Sequence, residues 1–217
     1  MKVVNLGEHN SVLNNFIAEM RDIRIQKDSL RFRENLERVG EIFAYEISKG
    51  LDYSEKKVTT PLGIAEVSTC DSQVVLATIL RAGLPLHRGM LNFFDKAGSA
   101  FLAVFRKYGK GDWFDIHVDY CTTTAIEGRQ LILADTMIAS GASVEVVLRK
   151  LREEGGEPAH IHIAAPIASR YAVDYLGQRL DDSVTLWVAA IDEELTGHSY
   201  IVPGLGDAGD LAFGDKM

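Results

Sequence analysis

Cysteine is nearly absent: Cys70 and Cys121 are the only two in 217 residues, and neither has metal-ligand spacing. That excludes a disulfide scaffold and a structural zinc module, and it fits free thiols in a reducing, cytoplasmic setting. No apolar run is long enough to span a bilayer, and MKVVNLGEHNSV lacks the continuous apolar stretch of a secretory signal, so no membrane partner is expected. A basic excess is also missing. With 23 Lys and Arg against 31 Asp and Glu, the net charge is −8. That disfavours nucleic acid as a partner, since phosphate binding needs a positive field. There is no internal repeat and no low-complexity segment. With 47% hydrophobic and 25% charged residues, the chain has the composition of a soluble enzyme, expected as one domain over 1–217.

The patterning is α/β. Residues 11–49 suggest two helices, SVLNNFIAEMRDIRIQ and SLRFRENLERVGEIFAYEIS, the second with Phe32, Leu36, Val39, Phe43 and Ile47 at helical spacing, Ser29 as N-cap and Gly50 just past its end. KKVTTPLGIAEVS (56–68) suggests a hairpin turning at Pro61 and Gly63. Apolar strands then alternate with helices. VVLATIL (74–80), AFLAVF (100–105), LILA (131–134), HIHIAAP (160–166) and VTLWVAAI (184–191) are the strands, with helices over 84–94, from about 142 to Gly155, and near 168–178. Continuous apolar strands of this kind form a parallel sheet covered on both faces, with ligands beyond the carboxyl ends. Phe114 to Tyr120 alternates with period two and interrupts one crossover. It is expected as an arm of an antiparallel flap over about 106–130, with 121–130 returning, serving as a lid or as a dimerisation arm.

Three constellations lie at strand ends. The first is Asp135 followed by Thr136, Met137, Ile138, Ala139, Ser140, Gly141, Ala142 and Ser143. A strand ending in an acid and turning through small residues into a helix offers free N–H groups and a positive dipole end to a phosphate, while the acid can accept from sugar hydroxyls. The loop lacks the Gly-Lys-Ser/Thr of a nucleotide-triphosphate loop, and an ordinary strand-to-helix turn capped by Ser140 or Ser143 is the competing reading. The second is Arg81 in Leu80-Arg81-Ala82-Gly83, with Arg106 at the next strand's end. Two such arginines fit a polyanion such as pyrophosphate. The third is YIVPGLGDAGD (200–210), an irregular loop able to aim backbone donors and acceptors at a flat ring, with Asp207 and Asp210 able to hold Mg²⁺ directly or through water. His87 with Arg88 is expected on a helix surface, His160 and His162 as structural residues, and Trp113 and Trp187 as packing.

With these residues in hand, the whole chain resembles the uracil phosphoribosyltransferases. The resemblance rests on Met20-Arg21-Asp22, Tyr45-Glu46, Ile79 to Leu84, Asp135 with Met137 and Ala139 to Ser143, Ala190 to Glu193, and Tyr200 to Asp210 with Phe213-Gly214, in family order. It implies a phosphoribosyltransferase-type, Rossmann-like parallel sheet flanked by helices, with an N-terminal helical segment and an antiparallel flap. It also implies transfer of phosphoribosyl from PRPP to N1 of uracil, giving UMP and pyrophosphate with Mg²⁺, by a homodimer. Residues 135–143 would hold the ribose and 5-phosphate, Arg81 and Arg106 the pyrophosphate, and Asp207 the PRPP and its magnesium. Ile201, Gly206, Asp207 and Ala208 would face uracil. Asp135, Arg81 and Arg106 are the implied catalytic residues.

The chain departs from the family pattern at Thr136 (usually Pro), Ser140 (Thr), Ala142 (Gly), Lys107 to Gly111 (usually acidic) and Leu211 (Arg). Two other readings keep the same pocket: a PRPP- or nucleotide-binding regulator without turnover, and a transferase with a different base acceptor.

Overall fold

The computed structural model describes residues 1–108, 114–197 and 199–216, with the side chains of 106–108 and 114–115 outside that description. In chain order the elements are β1 (Lys2–Asn5), α1 (Leu13–Arg21), α2 (Ser29–Ser48), β2 (Tyr53–Thr60), β3 (Gly63–Cys70), β4 (Val74–Leu80), α3 (Gly83–Leu91), β5 (Gly98–Tyr108) and β6 (Phe114–Thr122). There follow β7 (Gln130–Ala134), β8 (Met137–Ile138), α4 (Ala142–Gly155), β9 (His160–Ser169), α5 (Arg170–Gly177), β10 (Val184–Asp192), β11 (Glu194–Leu195), β12 (Ile201–Val202) and α6 (Ala208–Phe213).

The central sheet runs β1-β10-β9-β7-β4-β5-β6, with β8 continuing alongside β9. Every pairing is parallel except β5 with β6. The apolar strands explain the arrangement: β4 and β7 are buried along nearly their whole length, so both faces need helices. One face packs Phe32, Leu36, Phe43 and Ile47 of α2 with Leu86 and Met90 of α3 against the sheet. The other packs Val144, Val147, Leu148 and Leu151 of α4 with Ala172 and Leu176 of α5. The parallel strands β4, β7, β9 and β10 therefore present Arg81, Asp135, Ser169 and Asp192 at one edge.

Several local expectations change. The first helix stops at Arg21, where Asp22 turns extended and its N–H still donates to the Ala18 carbonyl. The N-cap of α2 is Asp28, whose side chain accepts from Arg31 N at 3.1 Å; Ser29 is the first helical residue. Gly50 follows the C-cap Lys49 without a left-handed φ. The helix expected over 84–94 ends at Leu91, and the one near 168 starts at Arg170, because β9 continues through a buried Ser169 that caps it from Ala172 N at 2.9 Å.

The flap is not built from 121–130. The partner of β6 is the extension of β5 itself, in antiparallel register from Phe101↔Thr122 to Tyr108↔Phe114. Residues 123–126 form no strand. Ile126 is instead buried and its N–H bonds Gly155 O at 2.6 Å, so hydrophobic anchoring under α4 outcompetes a third strand.

His87 is also not on the surface. It is 2% exposed, with its ring 5.2 Å from that of Phe101, and burial lowers its pKa. The hairpin β2–β3 is longer than expected, pairing Tyr53↔Cys70 through Thr60↔Gly63, and its contacts are chiefly between its own two strands.

Candidate active site

A cleft lies over the carboxyl edge of the sheet in two adjoining lobes of about 710 and 690 Å³. Ile79, Val104, Phe105, Asp135, Met137, Asp207 and Lys216 border both lobes. The strand-end loops thus converge, as expected for an open α/β sheet.

Asp135 forms the floor. Its N–H bonds Ala164 O at 3.0 Å, and its carboxylate accepts from Thr136 N at 2.7 Å. Burial raises its pKa to about 6, against the pull of the Thr136 and Met137 amides. Thr136 and Ile138 are themselves buried, and Ile138 belongs to the core on the α4 face; Thr136, Met137, Ala139 and Ser143 border the cleft.

The turn into α4 hinges on Gly141, with φ +81°. A side chain there would be strained, and a Cβ would lie 3.0 Å from both Leu176 and Tyr175. Ala142 already belongs to the helix, so the departure to alanine costs no left-handed conformation. Neither Ser140 nor Ser143 is the N-cap; Gly141 is, and no side chain caps α4. Ser140 Oγ stands 3.5 Å from Ala142 N, and the Ala139 carbonyl is held by Ser169 Oγ at 2.5 Å. The N-cap Gly141 itself offers no side chain to the first amides of α4.

Arg81 follows a cis Leu80–Arg81 peptide at the end of β4. Its Nη2 bonds Asp210 Oδ1 at 2.8 Å and its Nη1 bonds Gly214 O at 3.2 Å, while Nε has no partner among the described residues. Ala82 and Gly83 border the cleft beside it, and only glycine fits at 83, since a Cβ there would sit 2.3 Å from Thr78 Oγ1. Arg106 is the backbone partner of Ile116 in the flap. Its side chain and those of Lys107 and Tyr108, with residues 109–111 and Trp113 entire, lie outside the described residues.

The opposite wall is the 200–210 loop. Ile201 pairs with Leu195 in the short β11–β12 ribbon and is buried, Val202–Pro203 is cis, and Gly204 and Gly206 adopt positive φ. Asp207 caps α6: its Oδ1 accepts from Gly209 N at 2.8 Å and Asp210 N at 3.1 Å. Its other oxygen, Oδ2, is 3.5 Å from Lys216 Nζ. Gly206, Asp207 and Ile201 border one lobe, Asp207 and Ala208 the other. Among the described residues, no group of three or more His, Cys, Asp or Glu forms a metal cage. Asp207 Oδ2 is thus a single carboxylate donor, which suits an ion that brings most of its oxygen ligands with a phosphate substrate.

Sequence reasoning gave no role to the support beneath this loop. Arg21, from the end of α1, binds Asp192 at the end of β10 through both terminal nitrogens, at 2.8 and 2.9 Å, and also bonds Gly204 O at 3.1 Å. Asp192 in turn accepts from Gly204 N at 2.9 Å, and Gln26 Nε2 bonds Leu205 O at 3.0 Å. Arg21 and Asp192 lie 171 residues apart, so no local pattern links them. His162, expected to be structural, accepts from Trp187 Nε1 at 3.2 Å on the sheet face that packs against α2.

Comparison with known proteins adds to the geometry. The family model described as Uracil phosphoribosyltransferase matches residues 8–215. A uracil phosphoribosyltransferase of Porphyromonas gingivalis is 54% identical over 217 residues, covering all of both chains. One from Methanococcus vannielii is 35% identical over 207 residues, covering 93% of this chain and 88% of its own. Among solved structures, a protein from Aquifex aeolicus superposes with a TM-score of 0.86 at 26% identity, covering 98% of each chain. A hypoxanthine phosphoribosyltransferase from Staphylococcus aureus, with a TM-score of 0.51 at 11% identity over 86% of this chain and 83% of its own, shares the fold alone.

Proposed function

The chain belongs to the uracil phosphoribosyltransferase family, and from that premise we propose how its residues divide the work. The reaction transfers phosphoribosyl from PRPP to N1 of uracil, releasing pyrophosphate and giving UMP. The bond from ribose C1 to the pyrophosphate oxygen breaks as the bond to N1 forms. Positive charge builds on the sugar and negative charge on the leaving group, and the uracil N1 proton passes to solvent.

The seat for the 5-phosphate is the run Ala139 to Ser143 with the uncapped amides of α4. Ile138 acts through backbone, since its side chain is packed in the core, while Thr136 borders the second lobe. Asp135 accepts from the ribose hydroxyls and, ionised, opposes the positive charge on the sugar. Arg81 binds pyrophosphate once it leaves Asp210, with Arg106 beside it from the flap. Uracil is read by the backbone of Ile201, Gly206 and Ala208 and by the edge near Asp207, a loop held rigid from below by Arg21 and Asp192. Mg²⁺, held by Asp207 Oδ2 and substrate oxygens, would supply neutralisation of the pyrophosphate as it leaves.

The observation that carries this reading is the convergence of Asp135, the α4 amides and the 200–210 loop on one cleft. Purified protein given PRPP, Mg²⁺ and a panel of bases should make UMP from uracil and little from other bases. PRPP binding without any nucleotide product would favour the regulator, and preference for another base would move the acceptor.

The assembly is a homodimer in this proposal, with the β2–β3 hairpin reaching to the second copy. Leu62 at its tip is 100% exposed, and Val58, Ile64 and Val67 are exposed along it, an apolar arm that a lone chain leaves in water. We assign the reaction to the cytoplasm. Support comes from the free thiols Cys70 and Cys121, and no helix among the described residues is long and apolar enough to cross a membrane.

A further inference from the structure

PRPP carries a pyrophosphate and a 5-phosphate, yet the described side chains of the cleft include Asp119, Asp135 and Asp207 beside only two cations, Arg81 and Lys216. Arg81 is already engaged by Asp210 and the Gly214 carbonyl. Lys216 was not singled out in the sequence, where a lysine at 216 follows the recognised stretch without any pattern of its own. In the structure it borders both lobes of the cleft. Its position follows from the end of α6. Gly214 closes the helix with φ +84°, its N–H bonding Asp210 O at 2.8 Å, and its carbonyl is pinned by Arg81. The chain is thereby turned back over the cleft, and Lys216 Nζ comes to 3.5 Å from Asp207 Oδ2, the carboxylate oxygen that the α6 amides leave free.

We propose that Lys216 is a PRPP-binding residue, its ammonium resting on Asp207 Oδ2 in the empty cleft and passing to a pyrophosphate oxygen when PRPP arrives with its magnesium. This rests on the assignment of the cleft to PRPP above. The exchange is local. The ammonium sits on a long flexible stem, and a carboxylate oxygen that coordinates a divalent ion no longer needs a lysine. The ammonium then gains a doubly charged partner in place of a singly charged one. Lys216 thus compensates the charge of Asp207 without substrate and that of pyrophosphate with it.

The test is PRPP binding by calorimetry with Mg²⁺ present, together with steady-state kinetics, on wild type, Lys216→Met and Lys216→Arg. Met keeps most of the stem and removes the charge. A charge-assisted contact at a partly exposed site contributes enough for about a tenfold loss of affinity. The expected result is a PRPP Kd and KM raised about tenfold in Lys216→Met, with uracil KM and melting temperature unchanged. Lys216→Arg should restore most of the loss, and the salt dependence of PRPP binding should be shallower in Lys216→Met than in wild type. PRPP affinity in Lys216→Met equal to or tighter than wild type overturns the proposal, as does an equal rise in both substrates' KM with a lowered melting temperature, which marks a structural tail. If wild type itself neither binds PRPP nor makes UMP, the assignment of the cleft fails and this proposal with it. If wild type does both and Lys216→Met binds PRPP as well, only the role of Lys216 falls.

Discussion

Arg21 grips Asp192 with two parallel hydrogen bonds of 2.8 and 2.9 Å, joining the end of the first helix to the end of the tenth strand directly beneath the 200–210 loop. Asp192 is 8% exposed by side chain and Arg21 22%, so water screens the pair weakly. Asp192 also accepts from Gly204 N, and Arg21 also donates to Gly204 O. A single ion pair therefore fixes both polar groups of one loop residue.

Removing one partner should cost more than the pair itself is worth, because a carboxylate would stay behind without its counter-charge. Arg21→Ala is expected to destabilise the fold by about 3 kcal/mol. The uracil KM should rise more than the PRPP KM, since the slackened loop faces the base. Thermal unfolding and two-substrate kinetics check this; equal change in both KM values would detach the pair from base recognition.

Asp135 carries a pH signature. Burial raises its pKa from 3.8 to about 6, and the working form is the carboxylate. kcat/KM should fall about tenfold per pH unit below about pH 6, a limb that Asp135→Asn lacks while being much less active throughout. The stability effect has the opposite sign. The folded pKa lies above the unfolded one, so this group's contribution is fully present below pH 3.8 and is lost as pH rises through about 6. Asp135→Asn should therefore gain on wild type between pH 4 and 7, by about 3 kcal/mol at most. A melting-temperature difference independent of pH would refute the assignment.

Gly141 allows a narrower test. Alanine there meets a left-handed φ of +81° and a Cβ position 3.0 Å from Leu176 and Tyr175. Destabilisation of about 2 kcal/mol is expected, with a raised PRPP KM because the α4 amides tilt. Ala142→Gly should be far milder, since that residue is helical; the cost is about 1 kcal/mol of helix propensity. Equal effects at the two positions would contradict the turn geometry.

The hairpin arm is tested by Leu62→Asp. The side chain is fully exposed, so monomer stability should hardly change. Sedimentation should show a dimer in wild type shifting toward monomer in the variant. An unaltered mass would remove the hairpin from the interface.

The sequence alone determined the α/β class, the order of the central strands along the chain and the clustering of Arg81, Asp135 and the 200–210 loop at strand ends. Those features are local: a run of apolar residues, an acid, a small-residue turn and a helical stripe are each read within about fifteen positions. The departures came where the deciding contact was distant. Residues 121–130 looked free to return as a strand, but Ile126 found its burial under α4. His87 looked like a polar helix residue, but the sheet behind it placed Phe101 against its ring. The N-cap of α2 moved from Ser29 to Asp28 because two adjacent residues could each cap, and only the backbone direction entering the helix chooses between them. The tertiary structure alone decided that Arg21 should meet Asp192, that a glycine at 141 should carry the left-handed turn and that Lys216 should fold back on Asp207. Side-chain charge and backbone torsion are written in the residue types, but which charges meet depends on how the whole sheet is ordered, and that order is fixed by long-range burial rather than by any short stretch of chain.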